Sequence, residues 1–201
     1  MPYRAPLKDI QFLLNKVFNA EENFASMTLS EDLSEDLIKA ILEEAGKIAE
    51  LLLSPINQSG DKEGCGFDGG RVSTPQGFKA AYQDYIKGGW SGLTGDLGYG
   101  GQGMPKVISA VIEEMFFSAN SSFCLYTVLT TGAALTINEH ASEELKATYL
   151  PKLYQGVWSG TMCLTESHAG TDLGMIHTKA VPTKDGSYSL SGTKIFITAG
   201  E

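Results

Sequence analysis

Cysteine is scarce in this chain and widely spread. Cys65, Cys124 and Cys163 form no CxxC pair and no metal-ligand spacing with the three histidines, which excludes a disulfide scaffold or a zinc ribbon. An odd number of cysteines without a secretion signal suits reduced thiols in the cytoplasm. The start, Met1-Pro2-Tyr3-Arg4-Ala5-Pro6, lacks the apolar core of such a signal and the Arg-rich character of an organelle presequence. Basic clusters are missing too: 15 Lys and Arg stand against 24 Asp and Glu, a net charge of -9. Phosphate contacts need clustered cations, so nucleic acid is excluded as a partner. Residues 115–138 carry no charge, but Asn120, Ser121, Ser122, Thr127, Thr130, Thr131, Gly132 and Thr136 interrupt them too often for lipid. They read as a helix buried in protein, with no membrane span.

What is present is helical periodicity, then a change of character. Residues 6–18 place Ile10, Leu13, Leu14, Val17 and Phe18 on one helical face. Residues 34–53 repeat the pattern, with acidic residues in the first turn and Pro55 just past the expected end. A long Gly-rich loop is expected over 54–75, a third helix over 76–87, and a second Gly-rich loop over 90–103. Residues 104–117 carry an unbroken stripe of Met104, Val107, Ile108, Val111, Ile112, Met115 and Phe116. The uncharged helix over 121–138 follows, and Ser142 caps a sixth helix. After Gly156, residues 157–165, 177–183, 188–191 and 194–198 read as strands, with Asp185-Gly186 as a hairpin turn. The fold class is therefore α+β, an all-α helical domain over 1–156 followed from 157 by β structure.

Two motifs bear on chemistry. Gly98-Tyr99-Gly100-Gly101-Gln102-Gly103 matches GxGxxG. It lacks the preceding strand and the later acidic residue of a dinucleotide fingerprint, so it reads as a tight loop in which glycines permit close backbone approach. The segment Thr165-Glu166-Ser167-His168-Ala169-Gly170-Thr171-Asp172 offers hydroxyls and backbone N–H groups at a strand end, as cofactor carbonyls or phosphates require. An Asx-type turn, with Asp172 bonding its own backbone, explains the same residues. His168 has no second ligand at metal spacing and reads as a surface-loop histidine. Cys163 reads as packed inside a strand.

At these residues the chain resembles the acyl-CoA dehydrogenase family. Residues Thr165 to Asp172 resemble its Thr-Glu-Pro-x-Ala-Gly-Ser-Asp segment, and Phe196-Ile197-Thr198 resembles its Trp-Ile-Thr strand. The Tyr-Gly-Gly loop at 97–103, Tyr149-Leu150-Pro151-Lys152-Leu153 with Gly156, and Trp158-Ser159-Gly160 agree in order. Tyr3-Arg4-Ala5-Pro6 and Phe12-Leu13-Leu14 are similar to the longer-chain subgroup that includes 3-methylmercaptopropionyl-CoA dehydrogenase, with residues 1–33 as a subgroup-type extension.

The resemblance implies a β-barrel-like middle domain begun over 157–201 and left incomplete, FAD as cofactor, and oxidation of acyl-CoA to trans-2-enoyl-CoA in fatty acid β-oxidation. Met162, Leu164 and Thr165 would line the flavin, with Gly170 and Thr171 where cofactor and acyl-CoA meet. Thr171 stands for the family's substrate-contacting Ser. Phe196, Ile197 and Thr198 would flank the ring system. Ser167, His168 and Phe196 depart from the family's pattern. An electron-transfer flavoprotein would be the redox partner, and the full-length protein would be a homo-oligomer. The family's catalytic Glu is expected beyond Glu201, so no catalytic base is assigned and the fragment alone is expected to be inactive. Two alternatives stand beside this reading: an acyl-CoA oxidase-type flavoprotein on the same scaffold, and a non-catalytic truncated interaction module.

Overall fold

The computed structural model describes residues 3–27 and 33–198. Residues 1–2 and 28–32 of the expected extension, and residues 199–201 of the expected β domain, lie outside them. The chain divides into two compact units, one ending at Gly160 and one beginning at Thr161. From composition the boundary was placed after Gly156.

The first unit is helical. It runs α1 (Leu7–Phe12), α2 (Ala20–Ala25), α3 (Glu35–Lys47), α4 (Ser54–Glu63), α5 (Phe78–Lys87), α6 (Lys106–His140) and α7 (Glu143–Tyr154). A short hairpin, β1 (Gly66–Asp68) with β2 (Arg71–Ser73), lies between α4 and α5. Ser34 and Ser142 cap α3 and α7 by accepting from the Leu37 and Leu145 amides, satisfying donors that a helix start leaves free. No described helix is long and apolar enough to cross a membrane.

Two expectations are corrected here. The helix starting at Ser34 does not stop before Pro55. It widens into a π-helical stretch, Ile48–Leu53, and continues as α4 with Pro55 in the first turn. The Ser54 amide donates to Ala49, five residues back. A proline ring and its missing N–H disfavour an ordinary helical turn, and a wider turn accommodates them. The loop expected over 54–75 is thus mostly helix and hairpin. The helices expected at 104–117 and 121–138 form one element, α6, broken by non-helical backbone at Asn120 (φ -160°, ψ 89°).

Asn120 is fully buried and explains that break. Its Oδ1 accepts from the Phe123 amide at 3.0 Å, the bond an N-cap makes. Its Nδ2 donates to the Leu53 carbonyl at 3.2 Å. One side chain therefore restarts α6 and ties it to the π-helical stretch. Around it, Tyr85 meets Phe116 and Phe123 edge-on at 6.2 and 5.9 Å, and Trp90 meets Phe116 at 5.7 Å, favourable geometries for aromatic pairs. The expected stripe on α6 is largely core: Ile108, Ile112, Met115 and Phe116 are buried, whereas Val107 is exposed. The Gly98–Gly103 loop behaves as expected. A Cβ at Gly101 would lie 2.1 Å from the Gly95 backbone.

The second unit holds one hairpin, β3 (Lys179–Pro182) paired antiparallel with β4 (Tyr188–Ser191), Val181 opposite Ser189. Asp185 and Gly186 turn it, Gly186 at φ 84°. Residues 157–165 and 194–198, expected as strands, join no ladder among the described residues, and no barrel closes there.

Asn120→Ala should cost about 2–4 kcal/mol, combining a lost cap with a buried acceptor left unpaired, read as a lower urea midpoint. Gly101→Ala should cost about 1–3 kcal/mol, because backbone must shift to admit the methyl. Wild-type midpoints in either variant would contradict these assignments.

Candidate functional site

All eight sequence-predicted cofactor residues fall in the second unit, and backbone geometry brings their two segments side by side. The Ile195 amide donates to the Thr165 carbonyl at 3.0 Å. The Thr161 hydroxyl donates to the Thr198 carbonyl, and Lys194 Nζ donates to the Leu164 carbonyl at 2.8 Å. Residues 161–165 and 195–198 thus run antiparallel. They fall short of a ladder because Phe196 takes a left-handed conformation, φ 58°, which extended pairing does not allow. Phe196 is 84% exposed and Met162 58% exposed. Leu164 and Ile197 are also exposed, and Thr165 and Thr198 are half-buried.

Between the two segments the chain folds around Glu166. Glu166 and Ala169 exchange amide-to-carbonyl bonds of 3.1 and 3.0 Å, closing a two-residue loop over Ser167 and His168. Gly170 and Thr171 follow on the surface. Asp172 then accepts from the Gly174 amide at 3.0 Å, the Asx-type turn weighed from the sequence. A Cβ at Gly170 would meet only Thr165 Cγ2, at 3.9 Å.

The Glu166 carboxylate is 3% exposed, and a buried charge persists only when paired and hydrogen-bonded. Its Oε1 accepts from the Thr178 hydroxyl at 2.5 Å, the Thr178 amide at 2.9 Å and Lys194 Nζ at 3.0 Å. Its Oε2 accepts from the His177 amide at 2.9 Å. The Thr178 hydroxyl above all, then the His177 amide, hold the carboxyl far below the usual carboxylate range, against the opposing effect of burial. His168 Nε2 lies 3.1 Å from the Met175 carbonyl and 3.4 Å from Glu166 Oε2. Its ring lies against that of His177, tilted by 35° with centroids 4.1 Å apart.

In the sequence Glu166 stands out only as part of the Thr165–Asp172 segment, and His177, Thr178 and Lys194 belong to no motif. A Glu placed between an apolar run and a turn was the only hint, since nothing in one dimension selects the lysine 28 residues on. His168 is a surface residue, as read, but its imidazole is engaged. Cys163 is exposed rather than packed, because no opposing layer covers its segment among the described residues. In the helical unit a cleft of about 770 Å³ is lined by Thr94, Asp96, Leu97, Met104, Leu135 and Tyr154, among others. None of the predicted site residues lines it.

The pattern described as "Acyl-CoA dehydrogenase, N-terminal domain" matches residues 37–157. Over 201 residues the chain is 43% identical to 3-methylmercaptopropionyl-CoA dehydrogenase of Ruegeria pomeroyi, covering 100% of this chain and 34% of that protein. The structure of butyryl-CoA dehydrogenase from Megasphaera elsdenii superposes with a TM-score of 0.70 at 27% identity, over 84% of this chain and 42% of that one. An acyl-CoA dehydrogenase complexed with FAD from Bacillus anthracis gives 0.65 at 28% identity, over 84% of this chain and 27% of that one. The chain spans about a third of the length of the curated relatives it matches.

Glu166 ties pH to order in this unit. A carboxyl depressed in the folded state stabilises it above the unfolded value and ceases to do so as pH falls through the folded one. The Glu166 carboxyl ¹³C signal should therefore keep its ionised position at neutral pH and make its protonation shift only well below about pH 4. Glu166→Gln, which cannot form an ion pair with Lys194, should shift the His177 and Thr178 amide ¹H signals at about pH 7. Wild-type amide signals that already match those of Glu166→Gln at that pH would contradict the bonding described.

Proposed function

Because this chain belongs to the acyl-CoA dehydrogenase family, we propose that residues 161–198 present the flavin-facing edge of an FAD-dependent oxidation of acyl-CoA to trans-2-enoyl-CoA, with electrons passed to an electron-transfer flavoprotein. The observation that carries this reading is the pairing of residues 161–165 with 195–198. It gathers Met162, Leu164, Thr165, Phe196, Ile197 and Thr198 in one unit.

These residues fit the group. Met162, Leu164, Phe196 and Ile197 expose apolar surface, which gains by being covered with a flat aromatic body. Thr165 and Thr198 add hydroxyls that donate or accept at a ring edge. FAD held there would supply an acceptor for a hydride from the substrate's β-carbon. The chain's own part is to bind, orient and exclude water. Gly170, open on its Cβ side apart from Thr165, lets a ligand approach the backbone closely. Thr171, exposed beside it, offers the hydroxyl that would contact the acyl-CoA. Holding two reactants in register turns a bimolecular step into a unimolecular one.

The base that takes the α-proton is assigned to none of these residues. Glu166 is the buried carboxylate nearest the proposed edge, and four hydrogen bonds hold it ionised. A carboxyl so depressed is a poor proton acceptor.

Titrated with FAD, the 201-residue chain should quench flavin fluorescence saturably, with Phe196→Ala or Thr198→Ala weakening binding about tenfold. It should not turn over butyryl-CoA with an artificial electron acceptor. Binding indifferent to both substitutions would overturn the proposed edge. Robust turnover would overturn the exclusion of these residues from the acid–base step.

A further inference from the structure

The residues around Glu166 have a second property, independent of flavin. Glu166, His168 and His177 place a carboxylate oxygen and two imidazole nitrogens within 4.8 Å of one another. We propose that these three side chains, with the Met175 carbonyl, form a binding site for a divalent transition-metal ion, Zn²⁺ fitting the donors best.

The distances support it. A tetrahedral ion with bonds near 2.0–2.1 Å holds its ligand atoms about 3.4 Å apart. His168 Nε2 lies 3.4 Å from Glu166 Oε2 and 3.1 Å from the Met175 carbonyl oxygen. Both spacings from His168 Nε2 are therefore close to those of ligands that share an ion. His177, its ring tilted against that of His168 with centroids 4.1 Å apart, is exposed and has a ring nitrogen within 4.8 Å of the other donors, so a rotation can supply a further ligand.

Capacity also allows it. Three of the four donors to Glu166 converge on Oε1, whereas Oε2 accepts only the His177 amide. A carboxylate oxygen has two lone pairs, so Oε2 can take an ion without surrendering Thr178 or Lys194. Those partners would act as an outer shell that fixes the carboxylate. The ion would take the place of the proton that His168 Nε2 otherwise shares with the Met175 carbonyl, and the neutral ring would carry its proton on Nδ1 instead. Imidazole donors favour Zn²⁺, Ni²⁺ or Cu²⁺ over Mg²⁺ or Ca²⁺, which prefer all-oxygen shells. Lys194 beside Oε1 opposes a second cation and keeps the ion exchangeable. The exposed imidazoles leave the entry open.

The test uses the untagged chain with Cys65→Ser and Cys163→Ser, which removes the exposed thiols as competing ligands. After treatment with a chelator, ZnCl₂ is titrated calorimetrically and Co²⁺ is followed by its visible absorption. The expected result is one ion per chain, with His168→Ala and His177→Ala each weakening binding at least tenfold and His140→Ala leaving it unchanged. His177 is exposed, so its variant should keep the wild-type circular dichroism even if His168→Ala disturbs the loop. Absence of saturable uptake, or uptake equal in His177→Ala and its parent, would overturn the site. Neither outcome bears on flavin binding.

Discussion

A carboxylate taken out of water must find donors or lose its charge, and in the second unit that requirement falls on Glu166. Burial alone would raise its pKa. Four hydrogen bonds reverse the balance, and they come from two separate stretches of chain. His177 and Thr178 donate from the entry to the hairpin, and Lys194 from the returning segment. In a unit whose apolar side chains are mostly exposed, this polar cluster replaces a hydrophobic core as the organising centre. The alignment of residues 161–165 with 195–198, and with it the proposed flavin edge, depends on Lys194 bridging Glu166 and the Leu164 carbonyl.

The helical unit solves a related problem in a larger apolar core. Asn120 has two polar ends and no access to water. It satisfies one by capping the second half of α6 and the other on the Leu53 carbonyl. The break in α6 and the π-helical stretch before Pro55 therefore meet at one side chain. Either irregularity alone would leave buried polar groups unpaired, at about 1–3 kcal/mol each.

What could be read in advance follows from the range of the forces involved. Helical faces such as Ile38, Leu42 and Ala45, or Ile108, Ile112 and Met115, repeat at 3.6 residues, and burial along one side enforces that period locally. Ser142 was legible as a cap because a cap bonds within three residues ahead. Asp185-Gly186 was legible because a tight turn is decided within four residues. The strands expected at 157–165 and 194–198 were read from β-branched and aromatic content. Such content indicates extended chain but cannot supply the paired partner that makes a ladder. Phe196 carries no sign in its identity of the left-handed backbone it adopts.

The residue string was enough for the helical character of the first unit, the hairpin turn at Asp185-Gly186, and the ordered motifs that mark the acyl-CoA dehydrogenase family. Each is a local pattern or a string of residue types, complete in one dimension. The tertiary structure alone decided that Asn120 would join α6 to Leu53, 67 residues away, and that Lys194 would find Glu166. It also decided that the His168 and His177 rings would meet beside that carboxylate. These are pairings between distant residues, made when burial forces a polar group to take whichever partner the fold delivers.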